Sequence, residues 1–251
     1  GISLPLKKQS DRMVEKVFQS MAQAVAAFER DRSFSKFNSK FDYVLTGTTS
    51  FTPVEQLGFD LFKDPQKGNC AVCHPVESTF DKKGNITVPP LFTNFGYENI
   101  GAPRNMKIPG SPEPDLGLGG RADIQKRDKS GLQIGKHKVM SLRNVAVTAP
   151  YGHNGVFASL AMIVHFYNTR DALPHDCDNT SPRFPSQCWP LPEVGRNVSN
   201  EFGNLNLTAE ERTALIAFMN TLTDGYPAWG NDPLIPPGTP SPYPHLRIPS
   251  R

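Results

Sequence analysis

The feature that most narrows what this chain can fold into is five residues long: Cys70-Ala-Val-Cys73-His74. Two thiols separated by two residues can each add to one vinyl group of a haem, and the adjacent histidine is then placed at the iron as its proximal ligand. A chain with such a tether has to wrap a flat, apolar macrocycle. Two other chemistries use the same spacing. Half of a zinc site needs a second closely spaced Cys or His pair, and here His153/His165 stand twelve residues apart and Cys177/Cys188 eleven. A redox Cys-x-x-Cys is expected beside a parallel strand, but the residues before Cys70 read as helix. Haem c attachment is therefore the expected chemistry, with Cys70 and Cys73 as thioether positions and His74 as an iron ligand.

The helix in front of the motif announces itself at Thr52-Pro53-Val54-Glu55: an N-cap, a proline at the first helical position and the glutamate of a capping box. Leu57, Leu61 and Phe62 form its expected buried stripe. A late helix opens with a second capping box, Thr208 to Glu211, presents Leu215, Ile216, Phe218, Met219 and Leu222, and stops at Gly225. Two such helices can cover both edges of a porphyrin. A further helical stretch follows Phe157, through Leu160, Ile163, Val164 and Tyr167. From about Asp11 to Arg30, Val14, Val17, Phe18, Met21, Val25 and Phe28 recur at three- and four-residue steps, which predicts an amphipathic helix beyond the minimum of a small haem domain. Ser33 to Gly47 has no clear period and reads as a connector. Pro75 to about Lys138 reads mostly as loop, and the chain beyond Trp229 as a Pro-rich tail. The 24 Pro and 20 Gly among 251 residues fit long ordered loops. The expected fold is mainly α, a cytochrome c-like haem domain with long ordered loops and an extra N-terminal helix. It divides into 1–47 (amphipathic helix and connector, packing on a partner domain or subunit), 48–226 (haem domain) and 227–251 (extended tail).

With 27 Lys+Arg against 24 Asp+Glu, the formal charge of +3 is too small and dispersed to argue for nucleic acid or an anionic membrane surface. No apolar run approaches the roughly 18 residues of a membrane-spanning helix. The sequence starts at Gly1 without a charged-then-apolar leader, so either a signal peptide has been removed or the sequence begins internally. Cys177 and Cys188 bracket a loop rich in Pro, Asp, Asn and Ser. A disulfide closing it would contribute about 3 kcal/mol by restricting the unfolded chain; the alternative is two unpaired thiols. Disulfides persist in oxidising compartments, and covalent haem attachment also takes place outside the cytoplasm, so a periplasmic location is expected.

The remaining axial position of the iron decides between electron transfer and chemistry. Met140, His153, Met162, His165 and Tyr167 are the candidates. On one helix Met162 and Tyr167 differ by about 140°, so they cannot both point at the iron. Composition does not choose among the five.

Longer motifs are more specific than the pentapeptide. They are Ala26-Ala-Phe-Glu29, Gly58-Phe-Asp-Leu-Phe62, Leu91-Phe-Thr93, Lys138-Val-Met-Ser-Leu-Arg-Asn-Val145, Thr148-Ala-Pro-Tyr-Gly-His-Asn-Gly155, Ser159-Leu-Ala-Met-Ile-Val-His-Phe-Tyr167 and Leu207-Thr208 through Phe218. With them, the stretch from about Val25 to Tyr226 resembles the C-terminal haem half of the bacterial di-haem cytochrome c peroxidases and their MauG-type relatives. The resemblance implies that His74 is the proximal ligand. It places Tyr167 where the peroxidases carry a distal Met and the MauG-type enzymes a ligating Tyr, with Met140 as the alternative. His153 matches a histidine between haem and domain interface, bonded to a propionate, and is the catalytic candidate; Arg143 is a candidate propionate contact. Thr148 and Pro150 match positions that help hold a structural calcium, and hydroxyl and carbonyl oxygens suit that ion.

Family members also carry a second, N-terminal Cys-x-x-Cys-His domain where hydrogen peroxide binds, and this sequence has a single motif. The function implied is a periplasmic protein with one covalent haem c, and calcium as a candidate second cofactor. It would pass electrons or oxidising equivalents between a small donor cytochrome or cupredoxin and a peroxide-reacting haem on a partner chain or missing domain. Two alternatives stand beside it. A self-sufficient single-haem peroxidase would need a distal site improvised from His153, His165 and Arg143, and a simple mono-haem electron carrier would be expected to use Met.

Overall fold

In the computed structural model, which describes residues 9–110, 113–243 and 246, the helices are α1 (Gln9–Glu29), α2 (Lys40–Leu45), α3 (Pro53–Lys63), α4 (Ala122–Arg127), α5 (Leu160–Thr169), α6 (Ala209–Asn220) and α7 (Tyr226–Trp229). Two short antiparallel ribbons interrupt the loops: β1 (Thr79–Phe80) with β2 (Ile86–Val88), and β3 (Tyr97–Glu98) with β4 (His137–Lys138). The ends of segments 1–47 and 227–251, Gly1 included, lie outside the described residues.

The capping signals start the two helices that matter most. Thr52 Oγ1 accepts from Glu55 N while Glu55 Oε2 accepts from Thr52 N at 2.7 Å, and Thr208 and Glu211 repeat the exchange at the head of α6. α3 and α6 then pack directly on each other. Gly58 makes this approach possible, because a Cβ there would strike the Ala214 carbonyl and Phe218 Cβ. The contact face is consequently Gly58, Leu61 and Phe62, at i, i+3 and i+4. Leu57, expected in the stripe, lies beside that line and is 45% exposed. Phe62 and Phe218 are fully buried, with ring centroids 5.1 Å apart.

The stretch from Ser33 to Gly47 is more than a connector. It contains α2, whose six residues are too few for a period to show in sequence. Asp42 Oδ2 accepts from Ser39 N and Oγ at the helix start. Phe41 enters the main core, edge-on to Phe92 at 5.0 Å. On the other side of α2, Tyr43, Tyr226 and Ile235 form a small buried cluster. There the Pro-rich tail folds back: Tyr43 Oη donates to Pro240 O at 3.0 Å and Ser241 Oγ to Phe37 O at 2.7 Å.

α1 differs. Its stripe faces outward, with Phe18 66% and Met21 63% exposed. Cys177 and Cys188 form a disulfide, which closes the loop between α5 and α6 next to the fully buried Trp189.

Candidate haem site

α3 hands the chain to the motif through two constrained residues. Gly68 N donates to Leu61 O at 3.0 Å, and a side chain at 68 would collide with that carbonyl. Asn69 follows with φ 50°, a left-handed conformation that asparagine tolerates better than most residues. The turn leads into one turn of 3₁₀ helix, Cys70–Val72, and His74 N closes it onto Cys70 O at 2.9 Å. Unlike Cys177 and Cys188, the two motif cysteines are free thiols. Burial pushes Cys70 up to about 12, with Cys73 adding to the effect. Burial, then Glu98 and Glu201, raises Cys73 as well.

His74 Nδ1 lies 2.7 Å from Phe92 O. A carbonyl only accepts, so Nδ1 carries the proton, and in the neutral ring the lone pair is left on Nε2, the nitrogen free to ligate. Burial holds this imidazole below its ordinary pKa, against the opposing pull of the Phe92 bond, and so favours the neutral form. The acceptor is itself fixed. Phe92 is fully buried with φ 51°, and its neighbours are stitched to the 139–143 segment. Ser141 Oγ donates to Leu91 O, Thr93 Oγ1 to Val139 O and Arg143 Nε to Pro90 O.

Arg143, expected at a propionate, is thus committed elsewhere. Its Nη1 lies 2.8 Å from the fully buried Asp42 carboxylate, its guanidinium packs over Phe37, Phe41 and Phe92, and it does not line the cavity beside His74. The guanidinium faces the buried carboxylate on α2 through Nη1, while its Nη2 is buried without a hydrogen-bond partner among the described residues.

That cavity has a volume of about 530 Å³. Cys70, Cys73, His74 and Tyr167 all line it, among apolar walls such as Phe62, Leu142, Val164 and Leu215. Tyr167 is positioned by α5, with its ring edge-on to Phe202 at 4.5 Å and its backbone carbonyl accepting from Gly203 N. Its hydroxyl has no hydrogen-bond partner among the described residues. Burial above all, then the nearby Cys70 and Cys73, pushes the phenol above its ordinary range, with Arg170 opposing. Tyr167 is half-buried, and it stands on the wall of the same cavity as the motif. Two free thiols and an imidazole with an open Nε2 on one apolar cavity fit the attachment of a c-type haem.

The other candidates divide. Met140 lines the cavity and is 65% exposed; His153 also lines it. Met162 and His165 do not: Met162 Sδ accepts from Ala158 N, and His165 Nε2 bonds Pro185 O beside Trp189. Met219, assigned by sequence to the core of α6, does line the cavity. His153 Nε2 lies 3.0 Å from Glu193 Oε2, and its ring stacks on His137 at 3.7 Å. His137 and Glu193 belong to no recognisable motif; only the folded loops bring them to His153. Thr148 and Pro150 line the cavity, with Thr148 Oγ1 donating to Val145 O. Among the described residues the group of three or more His, Cys, Asp or Glu able to share an ion is Asp115, His137 and His153, so no carboxylate cluster gathers at Thr148 and Pro150.

No family model matches the chain. Individual proteins do. The methylamine utilization protein MauG of Paracoccus denitrificans (strain Pd 1222) is 38% identical over 218 residues, covering 84% of this chain and 52% of that protein. Cytochrome-c peroxidase IdrP1 of Pseudomonas sp. (strain SCT) is 33% identical over 228 residues, 85% of this chain and 52% of that protein. The crystal structure of the di-haem peroxidase BthA from Burkholderia thailandensis E264 superposes with a TM-score of 0.68 at 30% identity, over 84% of this chain and 52% of that one. The chain therefore spans about half the length of the relatives it matches.

Proposed function

The chain belongs to the bacterial di-haem cytochrome c peroxidase and MauG family, and from that membership we propose that it is a haem c subunit or half of a peroxidase-like system. It carries electrons or oxidising equivalents between a small donor cytochrome or cupredoxin and a peroxide-reacting haem on a partner chain or domain. A bound haem supplies a one-electron iron couple. The chain supplies the rest. Cys70 and Cys73 hold the group covalently as thioethers. His74 would hold the iron through Nε2, the nitrogen left free because Phe92 O accepts from Nδ1. Tyr167, on the wall of the same cavity, would offer its phenol oxygen as a second protein ligand. The largely apolar walls would pack against the macrocycle. Two protein ligands favour electron transfer over direct reaction with peroxide, which needs an open position.

One observation carries this reading: Tyr167 lines the same cavity as the Cys-x-x-Cys-His motif. Optical and electron paramagnetic resonance spectra of the ferric protein test it. Low-spin His/Tyr signals that disappear in Tyr167→Phe are expected. A spectrum that Tyr167→Phe leaves unchanged sinks the ligand assignment. A far-red sulfur-to-iron band moves the ligand to Met140 or Met219, and the function toward a simple carrier. High-spin iron points to a single-haem peroxidase.

The outward stripe of α1 supports a partner, since seven apolar residues from Met13 to Phe28 are more than half exposed there. We place the second haem-bearing domain or subunit on that face. The Cys177–Cys188 disulfide supports export to an oxidising compartment such as the periplasm. Co-purification with a second haem polypeptide is the expected outcome, whereas a stable monomer that turns over peroxide unaided refutes the division of labour.

A further inference from the structure

We propose that Asp115, His137 and His153 form a site for one divalent late transition ion, Zn²⁺ or Cu²⁺, at the rim of the cavity. One donor atom from each lies within 4.8 Å of the other two. The three come from separate places in the chain: the loop after β3, strand β4, and the turn after Tyr151.

What brings them together is built, not incidental. Leu118 N donates to Lys136 O at 2.8 Å, which draws the Asp115 loop onto β4. Gly117 permits this at φ 55°, because a Cβ there would strike the Lys136 carbonyl. Gly117 N then donates to Asp115 Oδ1 at 2.8 Å and fixes the carboxylate, leaving Oδ2 for a ligand. Behind the cluster sits Glu193, whose side chain is 6% exposed. Its Oε1 accepts from Asp115 N at 3.2 Å, and its Oε2 from Asn154 Nδ2 at 3.1 Å. The same Oε2 lies 3.0 Å from His153 Nε2, so one buried carboxylate positions two members of the set. A carboxylate behind a ligating imidazole is the usual support of a metal site, because it fixes the tautomer and raises ligand basicity.

The donor chemistry selects the ion. Two imidazoles and one carboxylate, with no thiolate, suit Zn²⁺, Cu²⁺ or Ni²⁺ and are poor for Ca²⁺ or Mg²⁺, which prefer all-oxygen shells. Donors sharing a tetrahedral Zn²⁺ sit about 3.3 Å apart. His137 and His153 stack with centroids 3.7 Å apart and planes 7° from parallel. Converging on one ion therefore requires the stacked rings to rotate. The Thr148/Pro150 pair takes no part in the donor set.

The test uses the full, haem-loaded chain stripped with a chelator. Calorimetric titration with Zn²⁺ should show one equivalent bound. His137→Ala should weaken binding by roughly tenfold or more, comparable to losing an important contact of a metal site, and Asp115→Asn by a smaller factor. His175→Ala, a histidine bonded to Trp189 and Pro190 carbonyls away from the cluster, should change nothing. With Cu²⁺, paramagnetic resonance of the unmodified protein should show coupling to two imidazole nitrogens, which needs no variant to fold. Absence of Zn²⁺ binding, binding unaffected by His137→Ala, or bound Cu²⁺ without two-nitrogen coupling each overturns the proposal.

Discussion

α1 and α6 are both helices with apolar residues at helical spacing, yet they end in opposite places. α6 buries Phe218 completely against α3, whereas α1 leaves Phe18 and Phe28 each 66% exposed. The difference is not in the helices but in what faces them. Gly58 gives α6 a surface it can approach to backbone distance, and the aromatic cluster of Phe41, Phe62 and Phe92 completes the seat. Periodicity declares that a face exists; only a complementary neighbour buries it.

The contrast can be broken at several points. The largest effect is expected on the buried side, from Arg143→Ala. It strands the Asp42 carboxylate in the core and releases the Pro90 carbonyl, so a loss of about 4 kcal/mol in urea unfolding is expected. A mutant as stable as the native chain would show that the pair does not anchor the His74 acceptor segment. Gly58→Ala should cost about 3 kcal/mol or prevent folding, despite the better helix propensity of alanine, because the methyl meets the α6 backbone. Circular dichroism against temperature measures it.

A smaller effect should appear with pH. Glu211 is held below its ordinary value of 4.5, first by the Thr208 backbone N–H and then by Lys67. A depressed carboxyl stabilises the fold above its unfolded pKa and loses that contribution as pH falls through the folded value. Between about pH 6 and pH 3, the native urea midpoint should therefore drop more than that of Glu211→Gln, by an amount equivalent to about 1 kcal/mol or less, the scale of one helix cap. Parallel profiles would remove the cap from the account.

The smallest stability effect belongs to α1. Phe18→Ser with Met21→Ser should change the stability of the isolated chain by less than about 0.5 kcal/mol, since neither side chain is buried. The same pair should abolish co-purification of the second haem polypeptide. Retained association would place the partner on another face.

Much of this was written locally. Thr52, Pro53 and Glu55 announce α3, Thr208 and Glu211 announce α6, and the pentapeptide announces the tether, because caps and covalent motifs act within a few residues. Family membership followed from the longer motifs around Arg143 and Tyr167. What stayed hidden depends on distant pairing. α2 was too short to show a period, and its Asp42 meets an arginine 101 residues away. The same holds for His137: nothing near it in sequence says that it stacks on His153, and the glutamate that braces the pair lies 40 residues beyond His153. Leu57 was misplaced because the line of contact follows the glycine, an absence of side chain that hydrophobic patterning does not weigh.

The hydrogen bond from Ser241 to Phe37 spans 204 residues, and Tyr43 to Pro240 spans 197. Such a clasp is a kinetic statement. Loop-closure entropy grows only slowly with separation, and Gly58 meets Ala214 across a comparable span. What sets the clasp apart is that side-chain hydrogen bonds and a small cluster hold it, rather than the main core. The clasp should form late in folding and open early in unfolding. Its amides should then exchange with solvent before those of α3 and α6, making the outer seam of the domain its first point of entry for a protease.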